Sequence, residues 1–120
     1  MAGDIRDLAE LKMRLRDFIA ERDWEQFHSP KNLAMALSVE AAELVEIFQW
    51  LTEAESLVLD SDRRQRAEAE LADILVYLVR VADRLDVDLL QAVTRKLEEN
   101  ARKYPAGRVR GKALKYDEYD

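Results

Sequence analysis

Apolar residues recur at spacings of three and four along most of the chain, which is the pattern of amphipathic helices. The pattern predicts helices over residues 4–21 and 30–51, then from the acidic segment 60–62 to about residue 85, and from segment 86–88 to about residue 103. In the first helix the apolar stripe comprises Ile5, Leu8, Leu11, Leu15, Phe18 and Ile19. No stretch shows the alternation of a strand, so the sequence predicts an all-α fold, a four-helix bundle.

The ends of these helices carry local signals. Ser29 before Pro30 is a favourable helix start, because serine caps free amides and proline needs no donor in the first turn. Thr52 and Glu55 have the spacing of a capping box, which indicates a short extra turn. Pro105 and Gly107 end the last helix. We therefore expect one helical domain over residues 1–107 and a loose tail over residues 108–120.

Composition narrows the class of protein. The chain has 120 residues, no cysteine and a formal net charge of −6. A disulfide framework and thiolate metal sites are excluded, and a DNA-binding face is not expected on so acidic a chain. The sequence shows neither a basic and apolar leader nor a membrane-spanning run. We expect a soluble cytoplasmic protein that contacts neither membrane nor nucleic acid polymer.

Two carboxylates interrupt the most apolar predicted helix. From residue 33 to residue 51 the polar residues are Ser38, Glu40, Glu43, Glu46 and Gln49. A helix that is apolar nearly all round belongs at the centre of an assembly. Glu40 and Glu43 lie about 60° apart around the axis, and Trp50 falls within about 20° of Glu43.

The third predicted helix repeats this arrangement with Glu70, Asp73 and Tyr77. Such acid pairs are usually solvated, and four ionised carboxylates brought together would repel one another. A bound divalent cation removes that objection, so the two interpretations are a solvated surface and a metal site. Without a histidine in either pair, an all-oxygen site favours Mg²⁺, with Mn²⁺ as the alternative.

Two further groups of residues have both a structural and a functional interpretation. Lys96, Asn100 and Lys103 share one face of the last helix, with Tyr104 beyond it. This face is either solvated or a clamp for phosphate oxygens. The connection between the first two predicted helices is rich in aromatic residues. It is either a packing plug or the wall of a base pocket in which polar side chains bind the edge of the base. Its residues are Trp24, Glu25, Gln26, Phe27 and His28.

Four segments together resemble a known family. They are RDWEQFH-x-PKNL, EAAELVEIFQW, ELADILVYLVR and KLEENARKYP. They resemble the MazG-like all-α nucleoside triphosphate pyrophosphohydrolases and look closest to the dCTP pyrophosphatase branch. The resemblance covers roughly residues 5–105. It implies Mg²⁺-dependent hydrolysis of a nucleoside triphosphate, dCTP or a modified dCTP, to the monophosphate and pyrophosphate, as part of nucleotide pool sanitation.

The resemblance also implies roles for individual residues. The metal ligands and catalytic carboxylates would be Glu40, Glu43, Glu70 and Asp73. The base and sugar would be surrounded by the segment 24–28, Trp50 and Tyr77, and the triphosphate would be held by Lys96, Asn100 and Tyr104. Leu15 stands where members of this branch can carry a histidine. The family forms dimers and tetramers, so a homo-oligomer is expected.

Two alternatives to this function remain open. The first is a related dUTP or broad-spectrum nucleotide hydrolase with the same metals and a different pocket. The second is a non-catalytic helical interaction module whose acids bind a structural ion.

Overall fold

All regular structure is helical within residues 3–119, which the computed structural model of the chain describes except for the side chain of Tyr116. The α-helices are α1 (Leu8–Glu21), α2 (Pro30–Phe48), α3 (Glu53–Leu57), α4 (Ser61–Arg84), α5 (Leu89–Lys103) and α6 (Ala106–Val109). Short 3-10 turns occupy Glu25–Phe27 and Tyr116–Glu118. The predicted all-α class is confirmed. Across these residues there are six helices rather than the predicted four, because α3 and α6 are short additions.

The helix starts follow from side chains that cap free amides. Ser29 Oγ accepts a hydrogen bond from the amide of Asn32 at 3.1 Å. Thr52 and Glu55 form the reciprocal capping box at the start of α3. Two predicted bounds were wrong: α1 begins at Leu8 rather than residue 4, and α2 ends at Phe48 rather than residue 51.

The chain divides into two compact units, Met1–Asp86 and Val87–Asp120. In the first unit α4 packs against both α2 and α1. Its buried apolar side chains are Leu11, Ile19, Leu33, Ile47, Ala67, Val79 and Ala82. Burial of this surface drives the packing of the three helices. The long helix α4 is therefore the element that both partners share.

An ion pair between exposed Arg16 and half-buried Asp83 links α1 to α4 near the C-terminal end of α4. The Arg16 guanidinium donates through Nε to Asp83 Oδ2 at 2.8 Å and through a terminal nitrogen to Asp83 Oδ1 at 2.6 Å. Arg80 donates to Asp83 Oδ2 at 3.4 Å, and its side chain is buried. Asp83 thus accepts from two arginines on two helices.

The second unit contains α5, α6 and the second 3-10 turn. The rings of Tyr104 and Tyr119 meet edge to face with centroids 5.9 Å apart. Arg108 donates to the carbonyl of Tyr119 at 3.0 Å. These contacts give residues 108–119 local structure, while the predicted domain boundary and the predicted looseness of the tail stay predictions. None of the helices in residues 3–119 is long and apolar enough to cross a membrane.

Candidate metal and nucleotide site

Three of the four predicted ligands form a carboxylate cluster, which we define as Glu40, Glu43 and Glu70. One oxygen atom of each lies within 4.8 Å of the others. Glu40 and Glu43 are one turn apart on α2, and Glu70 reaches them from α4 because the two helices pack together. All three side chains are half-buried. The cluster therefore results directly from the α2–α4 contact.

The electrostatics of the carboxylate cluster are those of a site that lacks positive charge. Hydrogen bonding to Glu70 and then to Glu43, followed by burial and by the charges of Glu43 and Asp73, raises the pKa of Glu40 to about 7. When ionised, Glu40 Oε2 and Glu70 Oε2 are buried without a donor in the described part of the chain. Such oxygens need either a proton or a cation.

Asp73, the fourth predicted ligand, lies outside the three-carboxylate cluster. It follows Glu70 by one turn of α4, and its charge contributes to the raised pKa of Glu40. Its side chain is exposed and lines a neighbouring cavity. Asp73 therefore connects the cluster to that cavity.

The cavity has a volume of about 450 Å³ and lies within the first unit. Three of the predicted base-binding residues, Trp24, His28 and Tyr77, line it together with Phe18. Trp24 packs edge to face against Phe18, with ring centroids 6.0 Å apart. Leu15 also lines it. Aromatic faces beside a few polar groups suit a planar heterocycle.

Several predicted site residues lie elsewhere. Trp50 is 86% exposed and follows the end of α2, so it does not continue the helical stripe of Glu43. Phe27 is 60% exposed. Glu25 and Gln26 are exposed in the 3-10 turn, where Gln26 donates to the carbonyl of Asp23 at 3.0 Å. None of these four is among the residues that line the described cavity.

The remaining predicted substrate residues belong to the second unit. Lys96 and Asn100 lie on α5, and Tyr104 is its C-cap residue. Lys96 Nζ is 3.6 Å from Glu99 Oε2. Asn100 and Tyr104 are half-buried.

Two arginines near the cavity were not predicted. Arg14 lines the cavity from α1, and its guanidinium donates to the carbonyl of Gly3. Arg80 is 3% exposed although it is charged. Its position within an apolar run, with a carboxylate partner three residues further on, is the sequence signal for its burial.

The comparison with protein families decides the assignment. A model described as the MazG-like family matches residues 35–118. The chain belongs to the MazG-like family. The resemblance drawn from the four sequence segments is therefore confirmed.

Relatives of this MazG-like chain include named pyrophosphatases. It is 48% identical over 111 residues to dCTP pyrophosphatase 1 from Bos taurus, covering 91% of this chain and 66% of that protein. With dCTP pyrophosphatase 1 from Homo sapiens the identity is 46% over 113 residues, covering 92% and 66%. The chain thus spans slightly less than two thirds of the length of these relatives.

A solved structure has the same fold. The crystal structure of a pyrophosphatase from Archaeoglobus fulgidus matches with a TM-score of 0.78 and 40% sequence identity, covering 88% of this chain and 98% of that chain.

Proposed function

We propose that this MazG-like chain hydrolyses a deoxynucleoside triphosphate, dCTP or a modified dCTP, to the monophosphate and pyrophosphate. The observation that carries the proposal is the position of Asp73, which joins the carboxylate cluster of Glu40, Glu43 and Glu70 to an aromatic cavity. The names of the relatives, dCTP pyrophosphatase 1, support the choice of substrate.

The carboxylate cluster fits a hard divalent cation. Its donors are all carboxylate oxygens, and two of them are buried with no hydrogen-bond donor among the described residues. We assign Mg²⁺ to it, with Mn²⁺ as the alternative, and Glu40, Glu43 and Glu70 as ligands. When bound, the cation supplies positive charge for the phosphate oxygens and lowers the pKa of a water. Asp73 is assigned as a further ligand on the cavity side.

The side chains around the cavity and the carboxylate cluster have separate roles in this reaction. Trp24 and Tyr77 hold the faces of the base, and His28 meets its polar edge. Binding the base in the cavity brings the phosphates toward Asp73 and the carboxylate cluster. A glutamate of the cluster accepts the proton of the attacking water, which adds in line at the α-phosphorus as pyrophosphate leaves. The roles of Glu25, Gln26, Phe27, Trp50, Lys96, Asn100 and Tyr104, and the cytoplasmic location, stay predictions.

Assembly into a homo-oligomer is part of the proposal. Leu71, Leu75 and Leu78 form a stripe on α4 that is exposed in the single chain. A stripe of Leu90, Val93 and Leu97 on α5 is exposed as well. Exposed apolar stripes on neighbouring turns are typical of interfaces between subunits. A dimer or tetramer would cover them.

A substrate panel tests this function. Initial rates with the four dNTPs, dUTP, 5-methyl-dCTP and the NTPs are measured with Mg²⁺, with dCMP and pyrophosphate quantified separately. We expect the highest kcat/KM with dCTP or 5-methyl-dCTP and equal amounts of both products. A preference for dUTP would identify dUTP as the substrate. Equal rates with all bases would identify a broad-spectrum hydrolase. No hydrolysis of any nucleotide, with a higher melting temperature in Mg²⁺, would favour the non-catalytic module.

A further inference from the structure

Arg80 is a buried cation with incomplete pairing. Its side chain on α4 is 3% exposed, and among the described residues it forms an ion pair with Asp83 at 3.4 Å. Asp83 accepts two shorter bonds from Arg16. One carboxylate thus serves two guanidinium groups, and Glu25, the other acidic group that acts on Arg80, forms no ion pair with it in the described part of the chain. Arg80 Nε is also buried without a hydrogen-bond partner in the described part of the chain.

The Arg80 guanidinium belongs to the helical turn of α4 that follows two residues of the cavity lining. Arg80 follows Val76 by four residues and Tyr77 by three, and both of those residues line the cavity. Residues at these spacings share a helix face. His28 lines the same cavity from the connection between α1 and α2.

The imidazole of His28 lacks a partner for one of its nitrogens. Nδ1 is buried without a hydrogen bond to any described residue. A neutral ring can leave Nδ1 as a bare acceptor, with its proton on Nε2. An imidazolium would instead bury an unpaired charged N–H, which costs much more. The geometry therefore favours the neutral ring.

Charged groups of both signs surround His28, and the two that act on its pKa are cationic. Burial, then Arg80, then Arg84 lower the pKa of His28 below its ordinary value of 6.5. Arg14 from α1 and Asp73 from α4 line the same cavity, and Glu25 precedes His28 in the connection.

We propose that Arg80, held by the carboxylate of Asp83, is a positioning residue that keeps His28 uncharged, so that the ring offers the base a neutral Nε2–H donor. This inference rests on the proposed function for its consequence in substrate binding. Its electrostatic part concerns the protein alone.

His28 is the only histidine of the chain, so its titration can be followed without assignment. The Cε1–H signal is recorded by NMR against pH in the full chain without a histidine tag. We expect a wild-type midpoint below 6.5 and a rise of about half a unit to one unit in Arg80→Met, the effect of one nearby charge. Arg80→Lys keeps the charge and should stay near wild type, and the exposed Arg64→Met is the control on the same helix.

Two outcomes would overturn the electrostatic part. One is a wild-type midpoint at or above 6.5, and the other is the same midpoint in Arg80→Met and Arg80→Lys. If Arg80→Met does not fold, the exposed Arg84→Met replaces it. This variant tests only the smaller contribution of Arg84, and the proposal itself is then tested with Arg80→Gln, in which an unmoved midpoint contradicts it.

The kinetic consequence is measured as KM for dCTP against pH. In the wild type KM should rise as the pH falls through the His28 midpoint. In Arg80→Met the same rise should begin at a pH higher by the shift found by NMR. Identical KM profiles despite shifted midpoints would remove His28 from base recognition. If the protein hydrolyses no triphosphate, the proposed function is wrong, and the NMR titration still tests the electrostatic part by itself.

Discussion

Each glutamate of the carboxylate cluster offers a cation one oxygen atom and, when ionised, one negative charge. Single substitutions therefore test the metal site. Glu43 lies on α2 one turn from Glu40. Because the three oxygens lie within 4.8 Å of one another, a neutral side chain at any of them changes the charge offered to a cation.

Glu43→Gln should lower kcat with dCTP and saturating Mg²⁺ by at least about a hundredfold, since even residues that only support metal ligands are worth 10–100-fold. Without Mg²⁺ its melting temperature should equal or exceed that of the wild type, because repulsion within the cluster is relieved. Glu46→Gln, exposed on the same helix, is the matched control. Near wild-type turnover in Glu43→Gln would reject the ligand assignment.

Trp24 separates a base pocket from a packing plug. Its side chain is 43% exposed and lines the cavity, so it supports little of the core. Trp24→Ala should raise KM for dCTP about five- to a hundredfold, the worth of one base stack, and flatten the preference among bases. Trp24→Phe should restore most of the affinity. Loss of folding, or an unchanged KM and base preference in the alanine variant, would identify a plug.

At the scale of the elements, the pair between Arg16 and Asp83 joins α1 to α4. The Arg16 guanidinium, assisted by Arg80, holds the pKa of Asp83 below its ordinary value of 3.8. A lowered carboxyl pKa means that the ionised form stabilises the fold. This contribution is fully present above the unfolded-state pKa and is lost as the pH falls through the folded-state pKa.

Asp83→Asn should therefore lower the free energy of unfolding at pH 7 by about 2–4 kcal/mol, because two guanidinium groups lose their carboxylate. The difference from the wild type should shrink as the pH is lowered below about 4. Urea unfolding at several pH values measures both effects. An unchanged stability at pH 7, or a difference that persists in acid, would contradict the pairing.

Local sequence signals predicted the helices well, but they could not predict the contacts between helices. Ser29 and Thr52 cap their helices as predicted, because a cap depends on residues three positions away. The end of α2 was placed too late, since the apolar pattern continues through Trp50 although the helix stops at Phe48. Asp83 pairs with Arg80 on its own helix and also with Arg16 on α1, and periodicity carries no information about which residues meet across helices.

At the scale of the whole molecule, the exposed apolar stripes predict association. The stripe on α4 reaches 54% exposure at Leu71 in the single chain. We expect a dimer or tetramer by light scattering at micromolar concentration, because burying such a stripe releases about 25 cal/mol per Å². Leu71→Glu combined with Leu75→Glu should reduce the assembly to smaller species if this stripe lies in the interface. A monomeric wild type would contradict the prediction.

Hydrolysis at the α-phosphorus tests the central claim most directly. The full chain is incubated with dCTP and Mg²⁺ in water enriched in oxygen-18, and the products are analysed by mass spectrometry. Attack at the α-phosphorus places one oxygen-18 atom in dCMP and leaves pyrophosphate unlabelled. Label in pyrophosphate or in inorganic phosphate, or no hydrolysis at all, would contradict the proposed reaction.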